Sequence, residues 1–113
     1  MLVFSDTKKP ASSTQSLSNT SRKLVYCEPN LLVQEAFSLL FARQFSFQIL
    51  ALACTAEEAL SALDKHNPSL FISEINLSDK SGIEVLLELS RRGKQVNSLL
   101  LTGIENTKDR SSL

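Results

Sequence analysis

The pattern of apolar and polar residues divides the chain into a polar beginning and a periodic remainder. Residues 1–22 are rich in Ser and Thr and show almost no apolar periodicity after Phe4. Such a segment cannot bury enough apolar surface to offset the entropy lost on ordering. We therefore expect a disordered tail over residues 1–22 and one folded domain over residues 23–113.

The remainder alternates short apolar runs with longer amphipathic segments. The runs are rich in β-forming residues and nearly free of charge, which is typical of strands buried in a parallel sheet, and they cover 23–27, 47–54, 70–75 and 98–102. The longer segments carry apolar residues at helical spacing and cover 31–45, 56–66 and 83–92. The pattern therefore predicts four strands alternating with three helices.

Local signals fix the helix starts and the face of the first helix. Asn30 is a predicted N-cap, and Thr55 with Glu58 has the spacing of a capping box. The apolar residues predicted to face inward from the first helix are Leu32, Ala36, Leu39, Leu40 and Phe41.

Alternating strands and helices of this length predict an α/β fold with a doubly wound parallel sheet between two helical layers. Ligands of such sheets bind beyond the carboxyl ends of the strands, where the strand order reverses. Three residues with side-chain oxygens occupy strand ends, namely Glu28, Glu74 and Thr102. We expect these three side chains to share one rim of the sheet.

The composition of the chain excludes several classes of function. Twelve basic residues balance twelve acidic ones, so no net field attracts the chain to nucleic acid or to an anionic membrane. No apolar stretch approaches the roughly 18 residues of a membrane span, and a cytoplasmic location is expected. Cys27 and Cys54 lack a metal-ligand spacing and are expected to be buried thiols.

Four stretches in this order resemble the receiver domain of two-component response regulators. They are YCEPNLLVQEAF at 26–37, ACTAEEAL at 53–60, PSLFISEINLSDKSGIEVL at 68–86 and LLLTG at 99–103. The resemblance covers residues 23 to about 106 and implies a flavodoxin-like fold with strand order 2-1-3-4-5. The chain ends at Leu113 without a match to the family's fifth strand and its Lys, so we expect a receiver truncated after its fourth strand.

The resemblance also implies roles for the strand-end residues. Glu28 matches the first acidic position of the family's Mg²⁺ site, and Pro29 stands at the second. Glu74 matches the phosphoacceptor Asp but is one methylene longer, and Thr102 matches the switch hydroxyl. Glu28, Glu74 and Asn76 are then the candidate ligands for at most weak Mg²⁺ binding, with no other cofactor expected.

The resulting expectation is a pseudo-receiver that is not an enzyme. It would act in phosphorelay signalling or transcription regulation by contact with a sensor kinase or a regulatory protein, and the uncovered edge of strand 98–102 would favour a homo-oligomer. One alternative is a conventional phosphorylatable receiver whose helix-turn-helix output domain, the only part to contact DNA, lies beyond this chain. The other is an unrelated flavodoxin-like ligand-binding domain.

Overall fold

A computed structural model of the chain describes residues 2–6 and 22–102. The elements in chain order are β1 (Leu2–Asp6), β2 (Arg22–Cys27), α1 (Leu31–Gln44), β3 (Phe47–Ala53), α2 (Ala56–Lys65), β4 (Leu70–Glu74), α3 (Gly82–Arg91) and β5 (Ser98–Thr102). From β2 onwards they follow the predicted alternation and lie within one or two residues of the predicted bounds.

The five strands form one sheet in the order β1-β5-β4-β2-β3. Strands β2 to β5 are parallel, with β2 between β3 and β4. Helices α2 and α3 cover one face and α1 lies on the other, which confirms the doubly wound α/β architecture in three layers. No helix in the described part of the chain is long and apolar enough to cross a membrane.

Strand β1 is the main departure from the predicted organisation. It pairs antiparallel with β5 over its whole length, from Leu2 opposite Thr102 to Asp6 opposite Ser98. The prediction of a disordered tail is therefore wrong for residues 2–6, and the tail residues 7–21 lie outside the described residues. The predicted free edge at 98–102 is wrong as well, because β1 occupies the place where the family order puts a fifth strand.

The larger part of the core lies between the sheet and helices α2 and α3. On the α2 side, Leu60 and Leu63 pack against sheet residues that include Phe71. On the α1 side, Leu24, Tyr26, Ile72 and Leu101 form a second cluster with Phe37 and Phe41 packed against it. The rings of Tyr26 and Phe41 meet edge to face at 5.2 Å.

Helix α1 is rotated relative to its predicted orientation. Of the predicted inward residues only Phe41 packs on the sheet, whereas Leu32 is 78% exposed and Leu39 is 49% exposed. Gln34, predicted on another face, is buried. The reason is that α1 carries apolar residues almost all round, so its periodicity does not single out one face.

Side-chain caps begin each helix. Asn30 Oδ1 accepts from the amides of Leu32 and Val33, as predicted. Thr55 Oγ1 accepts from the amide of Glu58, but the Glu58 carboxylate returns to the amide of Cys54 rather than to that of Thr55. The reciprocal capping box forms instead at the start of α3, between Ser81 and Glu84.

Candidate functional site at the carboxyl ends of the strands

Three neighbouring strands bring the predicted site residues to one rim. Cys27 of β2 is in register with Ser73 of β4, so Glu28 and Glu74 are the next positions on adjacent strands. Glu74 is in register with Leu101 of β5, and Thr102 follows it. The amide of Ile75 donates to the carbonyl of Leu101 at 2.7 Å, which continues the pairing past the end of β4. The predicted convergence of Glu28, Glu74 and Thr102 is therefore present.

Both carboxylates at the rim are held by their own loops. Glu28 Oε2 accepts from the amide of Asn30 at 3.0 Å, and Glu74 Oε2 accepts from the amide of Asn76 at 3.0 Å. In each case the donor lies two residues downstream, a local contact that stabilises a turn. Each carboxylate thus shapes the segment that leads from a strand into the following helix.

The two carboxylates lie close enough to influence each other electrostatically. Burial raises the pKa of Glu28, and the negative charge of Glu74 raises it further, while the hydrogen bond from Asn30 opposes the shift. Glu28 is only 8% exposed, whereas Glu74 is half-buried. Burial, followed by the charges of Glu28 and Glu74, also raises the pKa of the Tyr26 hydroxyl beneath them. The two carboxylates therefore repel each other across the rim, and burial disfavours the charged form of Glu28.

Gly82 allows α3 to begin directly against the end of β4. A Cβ atom at this position would lie 2.7 Å from the carbonyl oxygen of Glu74 and 3.2 Å from Ser73 Oγ. Its amide donates to the carbonyl of Ile75 at 2.7 Å, which closes the loop between them. The predicted Ser81-Gly82 turn is the point where backbone approaches backbone too closely for a side chain.

Two further residues organise the rim and were not singled out by sequence reasoning. Gln34 Nε2 donates to the carbonyls of Ala53 at 2.9 Å and Glu28 at 3.3 Å, which ties α1 to the ends of β2 and β3. Asp79 accepts from the amides of Ala56 at 2.8 Å and Glu57 at 3.1 Å, which ties the loop after Glu74 to the start of α2. The sequence does not distinguish these two residues, because a Gln within a helix and an Asp in a loop are not by themselves signs of such contacts.

The rim lacks one carboxylate of the family's Mg²⁺ site, because Pro29 stands at the second acidic position. Mg²⁺ takes an octahedron of oxygen ligands, of which one or two are usually protein carboxylates and the rest are waters. Here Glu28 and Glu74 each accept from a backbone amide, and the Asp79 carboxylate is engaged with α2. No group of three or more acidic, His or Cys side chains able to hold a metal occurs within residues 22–102. We therefore derive no chemistry through a metal ion at this rim.

A family model of the response regulator receiver domain matches residues 25–113, which is more than half of the chain. The chain belongs to the response regulator receiver family. The match confirms the family resemblance and excludes the alternative of an unrelated flavodoxin-like ligand-binding domain. The comparison with curated proteins found no match.

Solved structures agree on the fold. A DNA-binding response regulator of the LuxR family from Staphylococcus aureus superposes with a TM-score of 0.69 and 23% identity, covering 74% of this receiver and 69% of that chain. The signal receiver domain of NarL from Mycobacterium tuberculosis superposes with a TM-score of 0.69 and 16% identity, covering 73% of this receiver and 66% of that chain. The N-terminal domain of an uncharacterized protein from Wolinella succinogenes superposes with a TM-score of 0.66 and 19% identity, covering 80% of this receiver and 72% of that chain. At these identities the similarity concerns the fold.

Proposed function

We propose that this receiver is a pseudo-receiver, a module that transmits a signal by protein contact while Glu74 holds the phosphoacceptor position as a permanent negative charge. The observation that carries the proposal is the position of Glu74 at the end of β4 beside Glu28, with its carboxylate bound to the amide of Asn76. Glu74 carries the same single negative charge as the Asp of a phosphorylatable receiver, but its extra methylene holds that charge about 1.5 Å further along the side chain, which is part of the reach that a phosphoryl group would add.

Three features argue against phosphoryl transfer to Glu74. Its extra methylene displaces the carboxylate by about 1.5 Å, the length of a carbon–carbon bond, and misplacement by about 1 Å can cost about 100-fold in rate. Pro29 removes one carboxylate from the position where the family binds Mg²⁺. With that ligand missing, Mg²⁺ binding is weakened, so the negative charges of Glu28 and Glu74 are less well neutralised during the approach of an anionic phosphoryl donor.

The partner in this proposal is a protein, either a sensor kinase or a regulatory protein. We also propose that the module has no enzymatic activity and no cofactor, that it works in the cytoplasm, and that contacts to DNA belong to a separate output domain. The neutral overall charge supports this division, because it gives the receiver no general attraction to nucleic acid.

A chemical test of the proposal uses acetyl phosphate and Mg²⁺ with intact-mass spectrometry. The native chain is expected to gain no covalent phosphate. The double variant Pro29→Asp with Glu74→Asp restores the second acid and shortens the acceptor, and it is expected to gain one phosphate. The single variant Pro29→Asp is the matched control, because it adds the acid but keeps the long acceptor.

A phosphate on Glu74 of the native chain would overturn the proposal and favour the conventional phosphorylatable receiver. The observation that favours this second candidate is Thr102, which retains the family's hydroxyl at the end of β5. Binding to the protein partner separates the pseudo-receiver from the phosphorylatable receiver further. Glu74→Gln is expected to abolish the partner contact of a pseudo-receiver that depends on permanent charge.

A further inference from the structure

Strand β1 is attached to the domain in a different way from the other four strands. Strands β2 to β5 run parallel and are linked in sequence by the three helices, whereas β1 runs antiparallel and is joined to β2 through residues 7–21. Among the described elements, β5 is the only one with which β1 shares an extended contact. Within the described part of the chain, backbone pairing with β5 is therefore what holds β1 in the sheet.

The edge of β5 that faces β1 lies beside the core on both faces of the sheet. Leu101 belongs to the cluster on the α1 face, and Leu99 packs against that cluster. Leu100 is 1% exposed and lies on the opposite face, because side chains alternate along a strand. Without a neighbouring strand, the backbone groups of this apolar run would form a template for another chain. The edge of β5 therefore favours a paired strand.

The register of β1 defines which segments fit this edge. The first three residues of β1 are apolar and stand opposite residues 102, 101 and 100, whereas Ser5 and Asp6 stand opposite residues 99 and 98. Residues directly opposite each other share a face of the sheet and interact. A fitting segment is therefore extended, five residues long and antiparallel to β5, with three apolar residues followed by two polar ones.

We propose that the edge of β5 is an acceptor site for an extended segment of a partner protein, and that β1 is the chain's own occupant, which closes the site until it is displaced. Backbone hydrogen bonds to β5 supply the affinity for such a segment, and the alternating side chains supply the specificity. The acceptor edge ends at the rim, because Leu2 is paired with Thr102. The inference does not depend on the charge of Glu74, so it and the proposed function can fail separately.

The covalent tether determines how firmly β1 closes the site. Asp6 and Arg22 both lie at the edge where the parallel strands begin, three strand positions apart, which is about 14 Å. Tethers of this length supply an effective concentration on the order of 1 mM. If β1 is paired in at least nine of ten molecules, a free segment of the same sequence binds the open edge with a Kd of about 0.1 mM or lower. In the native chain that binding is weakened at least about 10-fold.

The test uses a synthetic peptide of residues 1–9 as the probe, titrated against isotope-labelled full-length chains and followed by the NMR shifts of the β5 amides. The chains are the native one, Val3→Pro and Phe4→Pro. Only one of these two substitutions removes an amide that points toward β5, and the other is its matched control. The variant with faster amide exchange in β5 should bind the peptide with a Kd of about 0.1 mM or lower. The native chain and the control variant should bind it at least about 10-fold more weakly.

Two further measurements establish that the peptide binds as a strand. The peptide that carries the releasing Pro should fail to bind the released variant, because it lacks the same inward amide. A second full-length variant carries a specific protease site between Gln15 and Ser16 and leaves β1 unchanged, so it remains informative if the Pro variants do not fold. After cleavage, the probe peptide should replace the N-terminal fragment at a ratio of one to one.

Three outcomes overturn the inference. The first is a probe peptide that fails to bind both the released variant and the cleaved chain at about 1 mM. The second is a native chain that binds the peptide as tightly as the released variant, because β1 would then not close the site. The third is equal binding of the native and Pro-containing peptides, because the contact would then not be backbone pairing.

Discussion

Replacing Asp79 by Ala is expected to lower the free energy of unfolding by about 1 to 1.5 kcal/mol. The Asp79 carboxylate accepts hydrogen bonds from the first two amides of α2, which otherwise lack partners inside the helix. Loss of a side-chain cap costs about 0.5 to 2 kcal/mol, and the upper part of this range is discounted because Asp79 is exposed and water can replace part of the contact. Asp79→Asn keeps one acceptor oxygen and should cost about half as much.

The same contact has a defined pH dependence. Backbone hydrogen bonds, the first from the amide of Ala56, hold the pKa of the Asp79 carboxyl below its usual value. A carboxyl whose pKa is lowered in the folded state contributes its full stability above the unfolded pKa, about 3.9, and loses it as the pH falls through the folded pKa. The difference between the native chain and Asp79→Asn should therefore be full at pH 7 and shrink below pH 4.

The assay is urea unfolding followed by circular dichroism at a fixed protein concentration of a few micromolar, which keeps self-association out of the measurement. With a slope of about 1 to 1.5 kcal/mol per molar urea, Asp79→Ala should shift the midpoint by about 1 M. Asp64→Asn is the matched control, because the contact that Asp64 makes within the described residues is an exposed ion pair with Arg92, and its loss should shift the urea midpoint by less than about 0.5 M. Equal shifts for Asp79→Ala and Asp64→Asn would refute the reasoning.

Three further predictions concern the elements around the rim. Gln34→Glu should destabilise the fold more than Gln34→Leu, because a buried carboxylate cannot donate to the two carbonyls that Gln34 contacts; urea midpoints that rank in the opposite order would contradict this. Tyr26→Phe should leave the melting temperature unchanged or raise it slightly, since the buried hydroxyl has no hydrogen-bond partner among the described residues; a marked loss would mean that the hydroxyl is satisfied. Of Val3→Pro and Phe4→Pro, only one should release β1 strongly, because successive amides of an antiparallel edge strand point alternately toward and away from its neighbour. Amide hydrogen exchange of β5 measures that release, and equal exchange in both variants would count against the pairing.

The sheet from β2 onwards and its helices could be predicted because several local signals agreed. Strands β4 and β5 are short apolar runs whose one charged residue is the terminal Glu74 of β4, which is what a strand covered on both sides requires. The caps Asn30 and Thr55 marked helix starts within a residue. The rim followed from these elements, since the carboxyl ends of parallel neighbours share one edge. Glu28, Glu74 and Thr102 were therefore found by position alone.

The parts that sequence reasoning missed depend on contacts between distant segments. Strand β1 is five residues long and is separated from β2 by a polar stretch, so nothing local indicates that it pairs with β5, some hundred residues away. Asp79 acts on a helix about 22 residues earlier in the chain, which a local capping rule does not consider. The rotation of α1 escaped prediction because its charged residues are too few to mark a polar face.

The arrangement of the sheet edges determines how this receiver can associate. Strand β1 covers the edge of β5, and it is short, which limits its value as a template for another strand. The opposite edge strand, β3, contains a register shift where Leu24 and Val25 pair with Ile49 and Ala51, so Leu50 is an extra residue that disrupts continuous pairing. Both edges therefore oppose association through backbone hydrogen bonds.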